Sequence, residues 1–247
     1  MSFREKLSKI KIDSDLSTKE IDVKDLPSKG ICYDVKKIVI SPLTVKEESL
    51  IAESQNEKSF EVNLNKVLNN VVKNLCPQEL TIGDRDYILL WLRSNSYGTN
   101  YKINFPCPEC GHKNNGYNID LTKIEINYLS DEYEHPFKLT EPIDITLKIL
   151  QVKDYNNINR DNNYSELLKT YASIIQSDNS FIDKCYKISK MSVKELAIIK
   201  AFIEEFNHGI NLNYTVTCSN CNEEVVIPIP FRPSFILPDG KSTINIE

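Results

Sequence analysis

Cys107-Pro-Glu-Cys110-Gly111-His112 and Cys218-Ser-Asn-Cys221-Asn222 are the two stretches on which the reading of this chain turns. Two residues between cysteines let a tight turn point both sulfurs at one centre while its backbone amides offset thiolate charge. One pair supplies half of a tetrahedral shell; two pairs supply all four thiolates, and Gly111 lets the first turn curl past the metal. The spacing therefore points to one structural Zn2+ held by Cys107, Cys110, Cys218 and Cys221. Iron–sulfur ligation uses the same donors, yet nothing else in the chain calls for electron transfer. A redox role fits poorly, because Cys107-Pro-Glu-Cys110 does not open a predicted helix, where a low-pKa thiolate is expected. His112 reads as a surface residue beside a shell that four thiols already fill.

The flanks place each pair on a hairpin. Tyr101, Ile103 and Phe105 alternate into Pro106, and Tyr117, Ile119 and Leu121 alternate after the first pair. Leu212, Tyr214 and Val216 lead to Cys218, and Val225 to Ile229 leave Cys221 behind. Strand, metal-type turn and returning strand are thus predicted twice, each after a glycine and a helix, as a weak internal repeat. A clip across the whole of Gly111 to Thr217 brings the two hairpins together and makes the site a folding device for the chain.

Further out, Leu26 to Gly30 is a turn, Cys32 to Ile40 an alternating edge strand, and Pro42 its end. Thr44 and Glu47 form a capping box that starts a helix; Leu64, Val67, Leu68, Val71, Val72 and Leu75 give a second helix over 63–75. Thr81 and Asp84 cap a third, running to about Ser94, with Arg93 complementing the negative end of its dipole and Gly98 breaking it. Phe137 to Leu139 and Ile143 to Ile149 are strands, Tyr164 to Gln176 and Phe181 to Ile188 helices. Ser192 and Glu195 cap the clearest helix, with Gly209 at its left-handed end. The four prolines of 228–238 exclude a helix there and suggest an extended tail. Phe231, Phe235, Ile236 and Leu237 of that tail suit either a partner's groove or the chain's own core.

The expected fold is α+β: a helical layer with short antiparallel strands and two Cys-x-x-Cys hairpins joined in a zinc-ribbon-like four-cysteine site. A flexible polar arm covers 1–25. One unit covers 26–247, with a helical part at 44–95, the first hairpin at 98–121, a strand and helix insert at 122–209, the second hairpin at 210–229 and the proline-rich tail at 230–247.

Of 247 residues, 40% are hydrophobic and 26% charged, as in ordinary soluble proteins. The net charge of -5 argues against a phosphate backbone as main partner. The apolar runs are too short for a membrane span, and the start does not read as a secretion signal. Seven cysteines, an odd number, argue against a disulfide framework. Cys32, Cys76 and Cys185 read as small buried thiols, His135 and His208 as loop and helix-end residues, and Asp84-Arg85-Asp86 as helix-start electrostatics. Nucleotide-binding glycine motifs and a nucleophile elbow are missing.

Several of these residues together resemble the T4-type bacteriophage baseplate protein family, which comprises baseplate hub subunits and hub assembly factors of contractile tails. The likeness lies in Leu26-Pro-Ser-Lys-Gly30 with Tyr33, in Ser41-Pro-Leu-Thr44 with Glu47 and Glu48, and in Asp86 through Leu92-Arg93. It continues in Ser96-Tyr97-Gly98 leading to Tyr101, and in Cys107-Pro-Glu-Cys110-Gly111. The resemblance implies a non-enzymatic phage protein that helps form the central hub of the tail baseplate, as component or as chaperone-like factor. Its partners would be hub or other tail proteins, and its place the host cytoplasm during assembly or the virion tail baseplate. Two rivals stand beside it: a nucleic-acid-binding zinc protein, which needs a contiguous basic surface near the metal, and a zinc or iron metalloenzyme, which needs an open coordination position.

Overall fold

Three turns in succession wind the segment after the first strand: Lys29 N–H donates to Leu26 O, Ile31 N–H to Ser28 O and Tyr33 N–H to Gly30 O. Lys29 and Gly30 take left-handed φ values of 54° and 70°, and a Cβ on Gly30 would stand 2.5 Å from Val23 Cγ2, so only glycine fits. These turns use up the front of the strand expected over 32–40, leaving β2 at Lys37–Ile40. The computed structural model describes residues 18–159, 163–229 and 232–237. The expected arm lies outside the described residues up to position 17, as do Phe231 and the tail beyond 237. Within the span expected as arm, β1 (Lys19–Asp22) pairs antiparallel with β2, because Ile21 finds Ile38 across the ladder and both are buried.

β3 (Val72–Lys73) completes that three-stranded sheet, in the order β1-β2-β3. Over it lie α1 (Val45–Ala52), α2 (Glu57–Val71) and α3 (Ile82–Tyr97). The capping box of Thr44 and Glu47 starts α1 as expected, and the buried Glu47 also accepts from Asn70 Nδ2 at 2.9 Å, tying α1 to α2. α2 begins earlier than 63, since Asn56 and Ser59 cap it reciprocally, and buries Phe60, Leu64, Val67, Leu68 and Val71 as one stripe. It ends before Leu75 because Val72 turns into β3. Gly98, at φ 86°, ends α3.

The middle of the chain builds a second core. β6 (Ile126–Asn127) precedes the hairpin of β7 (Phe137–Leu139) and β8 (Ile145–Leu147). That hairpin packs with α5 (Glu166–Ile174), α6 (Phe181–Lys190) and α7 (Val193–Glu205), and the short α4 (Tyr155–Ile158) lies against α5. Tyr133, Phe137, Phe202 and Phe206 pack with ring centroids 5.1 to 6.4 Å apart. Ser192 and Glu195 cap α7 as expected, but Gly209 is not its left-handed cap. The helix is capped by Phe206, and Gly209 opens β9 (Gly209–Ile210), paired with β6. The physical reason is contact: a Cβ on Gly209 would lie 2.7 Å from Gly83 Cα, and one on Gly83 only 2.5 Å from His208 O. The second core is thereby pressed against the N-terminus of α3.

The tail corrects an expectation. Pro233–Ile236 forms α8, a single turn that proline starts well because its missing N–H and fixed φ suit the first helical position. Phe235 and Ile236 are buried in the first core, so the own-core reading holds for them. The fold is mixed α and β, with two hairpins, β4 (Asn100–Pro106) with β5 (Lys113–Asp120) and β10 (Asn213–Thr217) with β11 (Glu224–Pro228), set side by side.

Candidate metal centre

Both hairpins shape their cysteines with the same backbone bonds. In the first, Cys107 N–H donates to His112 O at 2.8 Å and Gly111 N–H to Cys107 O at 3.0 Å; in the second, Cys218 N–H donates to Glu223 O at 2.9 Å and Asn222 N–H to Cys218 O at 3.0 Å. Gly111 (φ 69°) and Asn222 (φ 61°) both adopt the left-handed conformation that turns the chain back, one without a Cβ and the other as a residue type that tolerates it. The residues correspond at a constant offset: Phe105 with Val216, Cys107 with Cys218, Cys110 with Cys221, Gly111 with Asn222, Asn114 with Val225. The weak repeat expected from pattern is thus a structural repeat.

No ladder joins the two hairpins, which are separate two-stranded sheets. Phe105, Val216 and Val225 bury a small core between them, with Cys107 and Cys218 at its edge. Cys110 and Cys221 are exposed. Sulfur meets sulfur across the hairpins: Cys107 Sγ to Cys221 Sγ is 3.7 Å, Cys110 Sγ to Cys218 Sγ is 3.7 Å, and all four lie within 4.8 Å of one another. A disulfide needs about 2.05 Å. A tetrahedron with zinc–sulfur arms of about 2.3 Å has edges of roughly 3.8 Å, so the cross-hairpin spacing matches a shared cation. Among the described residues no other cluster of three or more metal-type donors occurs.

Electrostatics of the cluster point the same way. The backbone amides of Cys221 and Asn220, aided by the Asn114 side chain, hold the Cys218 thiol down to about 6. The backbone amide of His112 and then the Asn220 side chain lower Cys110. Cys221 is pushed up to about 12: the Glu223 amide works to lower it, but the neighbouring sulfurs of Cys110, Cys218 and Cys107 outweigh that by holding its proton. The first charge forms readily and the last is resisted, so a full set of thiolates needs a cation among them.

Other residues singled out from the sequence lie elsewhere. His112 is exposed and outside the cluster. Cys185 is buried as expected and Cys32 is half-buried, whereas Cys76 is exposed, because it fronts the turn over Pro77–Glu79. Burial, then Asp84, pushes the Cys32 thiol up to about 12, which makes it inert, and its sulfur lies 3.6 Å from His135 Nδ1. His208 Nε2 stands 3.0 Å from Thr81 Oγ1.

Two charged residues do more than helix-end electrostatics. Asp84 is fully buried and accepts from Ser28 N–H at 2.9 Å, from the Ser28 hydroxyl and from the Tyr33 hydroxyl. It fastens the Leu26–Gly30 turn to α3. Arg93, also buried, donates to Phe235 O at 2.9 Å and to Gly98 O at 3.0 Å, binding α8 and the start of the first hairpin to α3. Asn114 was not legible as a site residue, for the β4–β5 ladder shifts register between the pairs Ile103–Tyr117 and Phe105–Asn114, where β5 carries an extra residue that changes which alternate positions face inward. Its counterpart Val225, apolar and inward in the second hairpin, was the available signal.

A family model described as T4 bacteriophage base plate protein matches residues 18–232. No curated protein and no solved structure matches the chain.

Proposed function

The chain belongs to the T4-type bacteriophage base plate protein family, and from that premise we propose that it acts without catalysis in building the central hub of the tail baseplate, binding other baseplate proteins through surfaces held by one structural zinc. The observation that carries the role is the extent of the match, which takes in both hairpins and everything between them. Family membership is consistent with a structural or assembly protein, and among the described residues no helix is long and apolar enough to cross a membrane. The host cytoplasm during assembly is the setting this role requires.

Cys107, Cys110, Cys218 and Cys221 would hold the metal. The donor set fits: four sulfurs from two knuckles favour a soft or borderline divalent ion in tetrahedral geometry. Zinc bound there supplies cohesion and no reaction, because four thiolates leave no open position. Apparent zinc contributions in small folding units are about 10–16 kcal/mol, comparable with net domain stabilities of about 5–15 kcal/mol. The small core of Phe105, Val216 and Val225 could not replace that.

Affinity purification of the tagged chain from infected cells tests the role. Baseplate or other tail proteins should be recovered under mild conditions; their absence would refute it. Metal analysis tests the zinc: about one ion per chain is expected, with comparable loss in Cys110→Ser and Cys221→Ser. Intact zinc after either substitution would refute a shared site.

A further inference from the structure

Asn114 breaks the repeat that the two hairpins otherwise follow. It is buried, at 4% exposure, where the second hairpin carries Val225. Its Oδ1 accepts from the backbone N–H of Ser219 at 2.9 Å and from the Ser219 hydroxyl at 2.9 Å. Its Nδ2 donates to Cys218 Sγ at 3.6 Å and to His112 O at 3.5 Å. One side chain of the first hairpin therefore grips the knuckle of the second at the residue after Cys218 and also places an N–H on the Cys218 sulfur.

We propose that Asn114 is the positioning residue of the metal centre: it docks the second knuckle on the first hairpin and stabilises the Cys218 thiolate, and so sets how tightly the ion is kept. The inference rests on the zinc reading above. A divalent ion among four thiolates leaves the site with net negative charge, and N–H donors to sulfur spread that charge. A buried amide whose oxygen and nitrogen both find partners is also costly to misplace, so it fixes one relative position of the two hairpins. Valine at this place could fill space and do neither.

The zinc-loaded full chain and its Asn114→Val variant, which copies the second hairpin, provide the test. The rate of zinc transfer to a chromogenic chelator is measured, with the thiolate-to-cobalt charge-transfer band of the cobalt-loaded protein. Outer-sphere partners typically govern about 10–100-fold in metal affinity. Zinc should accordingly leave the variant about 10- to 100-fold faster, and the cobalt band should move to lower energy as the sulfur loses its hydrogen bond. Faster loss with an unmoved band would mean that Asn114 only packs, and unchanged kinetics would mean that it does nothing; either overturns the proposal. Asn114→Ala, free of any crowding by valine, gives the same readouts if the first variant does not fold. About one zinc in the wild type with indifferent variants would sink this inference alone, whereas a wild type that takes up no zinc would sink the metal reading with it.

Discussion

Single residues carry more of this structure than their types suggest. Asp84 and Tyr33 lie far apart in sequence and meet in the interior, where burial and then Asp84 raise the Tyr33 hydroxyl well above its usual value of 10.0. A raised value in the folded chain means that this contribution is whole below pH 10, the unfolded value, and is lost progressively as pH rises above it. Wild-type stability in urea should fall on the alkaline side, and Tyr33→Phe should flatten that fall while costing about 1 kcal/mol at neutral pH. Asp84→Ala removes the acceptor of three bonds and should cost about 3 kcal/mol or more. The sequence offered Asp84 as one of two acids beside an arginine, and helix-start electrostatics was the local reading. Its long-range partners, Ser28 and Tyr33, become visible only when the turns after β1 bring them to α3.

At the scale of elements, capping chemistry and alternation were readable because their causes are local. Thr44 with Glu47, Thr81, and Ser192 with Glu195 start helices where their side chains say they should. Both cysteine hairpins form over the expected strands. The misreadings come from contacts between distant elements. Gly209 looked like a helix cap and is a close-approach glycine; the prolines of the tail looked prohibitive, yet Pro233 begins the turn that buries Phe235. Gly83 allows a sharp test. An exposed helical glycine changed to alanine normally gains about 0.5–1 kcal/mol, but Gly83→Ala would drive a methyl into His208 O. It should therefore destabilise by about 1–3 kcal/mol, as overpacking does, read as a lower urea midpoint. Phe235→Ala should cost about 3–5 kcal/mol, since its ring lies fully inside the first core.

Across the whole molecule, two cores fold on either side of the β6–β9 seam, and the four-cysteine cluster stands beside them on hairpins that flank the second core in sequence. That the two cysteine pairs would meet was legible from ligand arithmetic, since either pair alone leaves half a shell. Chelation should loosen the paired hairpins, seen as a lower melting temperature and new proteolytic cleavage between residues 98 and 121. Acid should do the same. The Cys218 thiol in the folded chain lies near 6, below its ordinary 9.0. Its anionic form therefore stabilises the fold fully above about pH 9, and that contribution fades as pH falls through about 6. Metal retention followed by equilibrium dialysis should fall as the pH is lowered, because protons compete with the ion for the thiolates.

The long separation of the two knuckles also imposes a timetable. A ribosome adds roughly 5–20 residues per second, so the stretch from Gly111 to Thr217 takes about 5 to 20 s to make. Until Cys218 and Cys221 follow, Cys107 and Cys110 remain a bare dithiol, without the two sulfurs that stand opposite them in the finished molecule. A nascent chain halted before Cys218 should be readily alkylated at both, and the completed protein far less so.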